Sequence, residues 1–197
     1  GATVIDVSFP EFQNFGDAEY EVLLYEFKYG LNKYLSERNS QYKTLKDLID
    51  FNEKNKEKEM PYFGQEIFIQ AEAKGNLDDR AYRLALLQSK VLTQEKGIDA
   101  VMEKDKLDAI FAPSNSPTWM IDHVNGDCGS SYIGSSSLAA VSGYPNVTVP
   151  AGFINELPIG VSFFGRAYSE PVLLKIAYAF EQITKIRRKP KFLPTYS

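Results

Sequence analysis

Hydrolytic chemistry needs a nucleophile, a base and a group that stabilises negative charge, and this sequence offers candidates for each. Serines cluster in Gly129-Ser130-Ser131 and Gly134-Ser135-Ser136-Ser137, and the single histidine, His123, follows Asp122 a few residues earlier. A Ser-His-Asp device would have to be drawn from this stretch. Triads are assembled from separate elements in space, so closeness in sequence supports one weakly, and a histidine in a polar loop is more often a surface residue. Neither serine cluster is followed by the glycine pair that would let backbone N–H groups approach an oxyanion. Ser135, Ser136 and Ser137 read instead as turn and N-cap residues, whose hydroxyls satisfy free backbone donors. Lys74 and Lys106 could act as bases only if burial lowered their pKa, and both sit among charged neighbours. One cysteine, Cys128, with one histidine and a few carboxylates shows no metal-ligand spacing, so neither a metal nor a cofactor is expected. No residue of the chain is assigned a catalytic role.

Binding chemistry is better represented. The polar stretch from Ser114 to Gly134 contains Asn115, Trp119, Asp122, Asn125 and Asp127. It leaves the C-terminal end of an apolar run, where α/β sheets commonly place ligands. Trp119, Asn125 and Asp127 are the candidate substrate-binding residues, Trp119 packing on an apolar portion of the ligand and the other two meeting polar groups. The alternative is equally open: Trp119 as a core plug and the polar residues as turn formers.

The elements that must position this loop can be read from periodicity. Gly1–Val7 reads as a strand that begins at once, and the first residue is expected to be an internal point of a longer chain. Asp17 opens a helix with Tyr20, Leu23, Leu24, Phe27, Leu31 and Leu35 on one face. Thr44 with Asp47 predicts a capped helix carrying Leu45, Leu48 and Ile49. The mixed charges of Glu53 to Glu59 predict a solvated surface segment. A helix over Gln65–Lys74 should end at Gly75-Asn76, and Asp78 should cap a longer one through Tyr82, Ala85, Leu86 and Leu92, broken at Gly97. Leu107–Ala112 predicts a buried strand, Ser137–Gly143 a short helix, Asn146–Val149 a strand ended by Pro150, and Ile159–Phe164 its hairpin partner across Ile154–Leu157. Ser169 should cap a last helix bearing Val172, Leu173, Ile176, Phe180 and Ile183, with Lys185, Arg187, Arg188 and Lys189 complementing its C-terminal dipole. Alternating helices and strands predict an α/β class with a mixed β-sheet flanked by helices: helix-linked strands suggest parallel neighbours, and the late hairpin adds an antiparallel pair.

Composition bounds the partners. The chain has 197 residues, 44% hydrophobic and 24% charged, which suits one globular domain or part of one. A net charge of −4 disfavours nucleic acid and anionic membranes, because neutralising phosphates needs a basic face. No apolar run approaches the roughly 20 residues that cross a bilayer, and no targeting segment is evident. With a single cysteine, a reducing, cytoplasmic setting is expected.

Three stretches in order carry a resemblance: Leu107-Asp108-Ala109-Ile110-Phe111-Ala112-Pro113; Ser142-Gly143-Tyr144-Pro145 with Asn146 to Gly152; and Leu157-Pro158-Ile159-Gly160 with Val161 to Arg166. Upstream Tyr62-Phe63-Gly64-Gln65-Glu66, Gly97-Ile98-Asp99 and the last helix also fit. The sequence resembles the C-terminal half of amidase-signature enzymes, in the branch that includes bacterial peptide amidases. The resemblance implies that residues 1–197 form the C-terminal portion of a single amidase-signature domain. It further implies hydrolysis of a carboxamide by a Ser-cisSer-Lys triad, with the oxyanion hole in the same Gly/Ser-rich region; that region precedes the matching part and is not found here. A small amide or peptide amide is then the implied substrate of the whole enzyme, and the chain alone is expected to be inactive. A sheet cut in its middle exposes an edge and apolar faces, so self-association is expected. Two other readings stay open: a binding or assembly module derived from the same fold, and a self-sufficient hydrolase using His123.

Overall fold

The computed structural model describes residues 1–9, 15–127 and 133–192, and the chain divides into two compact units. One comprises Phe9–Lys96; the other joins Gly1–Ser8 to Gly97–Ser197.

The first unit is helical. Helices α1 (Gly16–Ser36), α2 (Leu45–Lys54), α3 (Lys56–Glu59), α4 (Glu66–Glu72) and α5 (Arg80–Lys90) follow one another. Leu24, Leu45 and Ala71, from three different helices, are almost wholly buried against one another, with Phe27, Leu31, Ile49 and Phe68 around them. The face of α1 that reaches this core is turned slightly from the one periodicity predicts: Ala18, Leu24, Tyr25 and Leu35 are buried, while Tyr20 and Leu23 are exposed. Tyr25 takes the inner position because its ring meets Tyr82 at 5.6 Å and its hydroxyl donates to Asp79 at 3.2 Å. Helix ends are closed by neighbours. Thr44 forms a full capping box with Asp47 at the start of α2, as its spacing predicts, and Asn32 of α1 accepts the Leu45 N–H at 2.7 Å. At the end of α4, the Lys28 ammonium donates to the carbonyls of Glu72 and Lys74. Helix α5 begins at Arg80 with Asp79, not Asp78, at its N-cap position, and Asp79 makes no side-chain cap, its carboxylate being taken by Tyr25. Burial, and then the Glu26 carboxylate beside it, pushes the Tyr82 phenol up to about 12. The charged run predicted to be solvated is exposed from Lys56 to Glu59, as a single helical turn. Beyond α5 a helical stretch, Val91–Asp99, kinks at Gly97, whose φ of −97° and ψ of −108° fall outside the helical range.

The second unit contains α6 (Ala100–Asp105), β1 (Ile110–Pro113), α7 (Ser136–Ser142), β2 (Asn146–Ile154), β3 (Leu157–Phe164) and α8 (Glu170–Thr184). The strands form one sheet in the order β1-β3-β2, with Ile110 opposite Phe164 and Thr148 opposite Ser162. The α/β class holds. Both pairings are antiparallel, so the parallel neighbours expected of helix-linked strands do not occur among the described residues: β1 and β2 run the same way but β3 lies between them. The hairpin turn has Asn155 at φ 47° and Glu156 at φ 69°, the two positive angles that a two-residue type I′ connection requires. Pro150 does not end β2. The strand lies at the sheet edge, where a missing N–H costs no ladder bond, and a bulge between Pro150 and Gly152 carries it on to Ile154.

Helix α8 lays Leu173 and Ala177 on Val149, Val161 and Phe163, flanked by Ile176 and Phe180, and the Phe163 and Phe180 rings meet edge-on at 5.8 Å. Val172 and Ile183, predicted for this face, are exposed. The basic run also departs from expectation. Lys185 ends α8 in the left-handed conformation, so Arg187, Arg188 and Lys189 lie beyond the helix, where the dipole no longer acts. Gly1–Val7 forms no strand; its first six residues are exposed, and alternation makes a strand only where a neighbour takes up its hydrogen bonds.

Candidate functional site

Beyond β1 the chain enters the loop that contains the predicted binding residues. Asp122 organises it. Its Oδ1 accepts the N–H groups of Val124 at 2.8 Å and Asn125 at 2.9 Å, its Oδ2 accepts the Asn125 side-chain amide at 2.8 Å, and its carbonyl accepts the Gly126 N–H at 3.0 Å. Gly126 closes the turn at φ 78°, a conformation that costs glycine nothing. The hydrogen bond from the Asn125 backbone, helped by its side chain and the Val124 N–H, holds the Asp122 carboxyl below the usual carboxylate range. Trp119 donates its indole N–H to Asp127 Oδ1 at 3.2 Å and keeps 38% of its surface exposed. The structure therefore brings Trp119 and Asp127 together and ties Asn125 to Asp122. Between them Met120, Ile121 and Val124 are 78%, 81% and 91% exposed, so the loop presents apolar side chains outward and spends its polar ones on itself.

The described residues among those weighed as catalytic are placed as follows. Both Asp122 oxygens serve the turn, and His123 is exposed. Cys128, Ser130 and Ser131 lie outside the described residues. Lys74 is held by Glu21 at 2.7 Å, and Lys106 pairs with Glu103. Ser135 occupies the N-cap position of α7 without making a side-chain cap, and Gly143 stops that helix at φ 74°. Among the described residues no group of three or more His, Cys, Asp or Glu side chains could hold a metal ion, and no helix is long and apolar enough to cross a membrane.

A second cluster was not singled out by spacing. Ser114, just past β1, Thr148 of β2 and Ser162 of β3 bring three hydroxyls together: Ser114 to Ser162 at 2.8 Å, Thr148 to Ser162 at 3.0 Å and Ser114 to Thr148 at 3.3 Å. They occupy the sheet face opposite the Val149–Val161–Phe163 face that α8 covers. Three protons serve three contacts, so the ring is satisfied within itself. A hydroxyl becomes a nucleophile only when a base takes its proton, and these hydroxyls are partnered by hydroxyls. Gly160 leaves the room: a Cβ there would stand 2.9 Å from Thr148 Cγ2 and 3.0 Å from Ser114 Oγ. The signal was present in the strands, where Thr148 and Ser162 interrupt apolar runs at positions that face each other across the ladder.

A third cluster joins three of the stretches that carry the resemblance. Tyr144 donates its hydroxyl to Asp99 Oδ2 at 2.8 Å. Arg166 reaches the Asp99 carbonyl at 3.2 Å and Glu103 Oε2 at 3.0 Å, and the Gly165 N–H meets the Pro145 carbonyl at 3.4 Å. Gly97-Ile98-Asp99, Gly143-Tyr144-Pro145 and Gly165-Arg166 are thus one fastening between the start of α6, the entry to β2 and the exit of β3.

This combination of a helix-covered antiparallel sheet, a polar loop leaving β1 and motif residues locked into the frame defines an amidase-type α/β architecture. The amidase family model matches residues 1–174, and the chain belongs to that family. A probable amidase from Arabidopsis thaliana is 40% identical over 176 residues, 87% of this chain and 30% of the relative. The native peptide amidase of Stenotrophomonas maltophilia is 41% identical with a TM-score of 0.88, over 98% of this chain and 38% of that one. A structure of the peptide amidase PAM with the competitive inhibitor chymostatin is 42% identical, with a TM-score of 0.91, over 98% of this chain and 39% of that one. The chain spans about a third of the length of these relatives.

Proposed function

We propose that residues 1–197 are the C-terminal portion of a single amidase-signature domain, in an enzyme that hydrolyses the C–N bond of a small carboxamide or peptide amide. The observation that carries this reading is the likeness to peptide amidases over 98% of the chain, one of them bound to a competitive inhibitor. In the proposed reaction a serine Oγ attacks the carboxamide carbon, the C–N bond breaks, ammonia leaves with the proton it needs, and water releases the acid from the acyl-enzyme. In this reading the serine, the bridging cis-serine and the lysine come from a part of the enzyme outside residues 1–197. That assignment is supported by the pairing of Lys74 and Lys106 to carboxylates and by the closed hydroxyl ring of Ser114, Thr148 and Ser162.

In this reading the loop from Ser114 supplies one wall of the substrate pocket. Trp119, steadied by Asp127, packs on the acyl portion, and Asn125 and Asp127 border it. Ammonia release from a C-terminally amidated dipeptide is the direct test. The chain as it stands should release none, and the product of the complete reading frame should be active. Activity of the chain alone that vanishes in His123→Ala would replace the proposal with a self-sufficient hydrolase. In the active protein, Trp119→Ala should raise KM; unchanged kinetics with lowered stability would make Trp119 a core plug.

A further inference from the structure

A groove of about 520 Å³ lies between the β2–β3 hairpin and the segment that follows α8. Its construction is specific. Glu156, held at positive φ in the hairpin turn, points its carboxylate at the returning chain, where Lys191 Nζ lies 2.7 Å and Arg188 Nη1 3.9 Å away. The Arg188 guanidinium also sits 4.4 Å above the Phe153 ring. These contacts strap the post-helical segment across the hairpin, and Phe153, Leu157 and Pro158 are left as an apolar floor.

The charge around the groove is unbalanced. Arg187, Arg188, Lys189 and Lys191 line it with Glu156 as the single carboxylate, so four cations less one anion leave three positive charges. This excess stands on a chain whose net charge is −4. Glu156 is already shared by Arg188 and Lys191. Lys189 has no carboxylate partner among the described residues, and Arg187 spends one N–H on the Arg188 carbonyl and keeps the rest of its fork. A polyanion would be met by a flat basic face; here the cations border a half-open groove whose floor is apolar. The volume falls in the range of small-molecule sites, roughly 300–1,000 Å³.

The geometry points to a binding site for a small amphipathic carboxylate, with its hydrocarbon body on Phe153, Leu157 and Pro158 and its carboxylate between Arg187 and Lys189. The inference stands on the groove alone and is independent of whether amide hydrolysis is found.

Decanoate is the probe, titrated below its micelle concentration into the intact chain and followed by calorimetry and by amide NMR shifts. Saturable binding is expected, with shifts centred on Phe153, Leu157 and residues 187–191. Arg187→Gln with Lys189→Gln removes two exposed charges and leaves the Glu156 strap intact; it should weaken decanoate roughly fivefold to tenfold, within the reach of partly exposed charge pairs. Raising the salt should weaken it in the same direction. Decan-1-ol, with the same body and no charge, should bind less tightly by a similar factor. Equal affinity for decanol and decanoate, unchanged affinity in the double variant, shifts located elsewhere, or no saturable binding would each overturn the proposal.

Discussion

At the scale of single residues, the polar side chains that matter in this protein are mostly fasteners. Tyr144, Asp99 and Arg166 come from three of the stretches that carry the resemblance, and Glu103 of α6 joins them through Arg166. Tyr144→Phe removes one hydroxyl donated to a carboxylate and is expected to cost about 1 kcal/mol, read as a lowered urea midpoint. Arg166→Lys keeps the charge but loses the planar fork that reaches Asp99 and Glu103 together, and should also destabilise. At Asp47 the cause is different: the Lys43 backbone N–H, then the Thr44 hydroxyl, hold its carboxyl below the ordinary 3.8. The folded chain therefore binds fewer protons than the unfolded chain as pH falls through that range. The stabilisation is complete above the unfolded value and is lost as pH drops through the folded one. Asp47→Asn should lower stability at neutral pH, with the gap from the parent closing in acid; a gap independent of pH would show that the carboxylate charge contributes nothing. Thr44→Ala, which opens the same capping box, should cost about 1 kcal/mol.

At the scale of elements, the two faces of the sheet are packed differently. On one face Leu173, only 1% exposed, fits among Val149, Val161 and Phe163. Leu173→Ala should lower stability by about 2–5 kcal/mol, because α8 cannot close fully over the gap. On the other face three hydroxyls meet on the same side as the buried Ile110 and Phe164, and glycine at residue 160 leaves them the room to approach. Gly160→Ala should destabilise by about 1–3 kcal/mol through overpacking. Thr148→Ser in that background deletes the methyl that the new Cβ meets and should restore part of the loss; no recovery would place the cost elsewhere. Periodicity found most of these helices and strands because burial repeats with helix or strand spacing. It failed where the outcome rested on a partner: Gly1–Val7 has no ladder, Pro150 is tolerated because β2 is an edge, and the basic run after α8 turns back to Glu156.

At the scale of the whole molecule, the exposed apolar side chains need covering. Phe111 on β1 is 56% exposed, Leu174 and Tyr178 on the outer side of α8 are 60% and 64% exposed, and Met120, Ile121 and Val124 project from the loop. Both β1 and β2 leave an unpaired edge among the described strands. Surfaces of this kind associate, with another part of the same protein or with another copy. Sedimentation of the chain alone should show dimers or larger species that grow with concentration. A monomer that persists at high concentration, with no dye binding to exposed apolar surface, would count against the proposal that these residues are one portion of a larger domain.

Read alone, the sequence determined the family, the α/β class, the positions of most helices, the capping box at Thr44 and the hairpin at Asn155-Glu156. These depend on local spacing, turn chemistry and motif order, which the chain carries wherever it folds. Tertiary structure decided that the sheet pairs antiparallel, that Asn125 and Asp127 turn inward to Asp122 and Trp119, and that Ser114, Thr148 and Ser162 meet. Those contacts join residues far apart in the chain or choose between partners that local sequence offers equally, and only the packed fold supplies the distances that settle the choice.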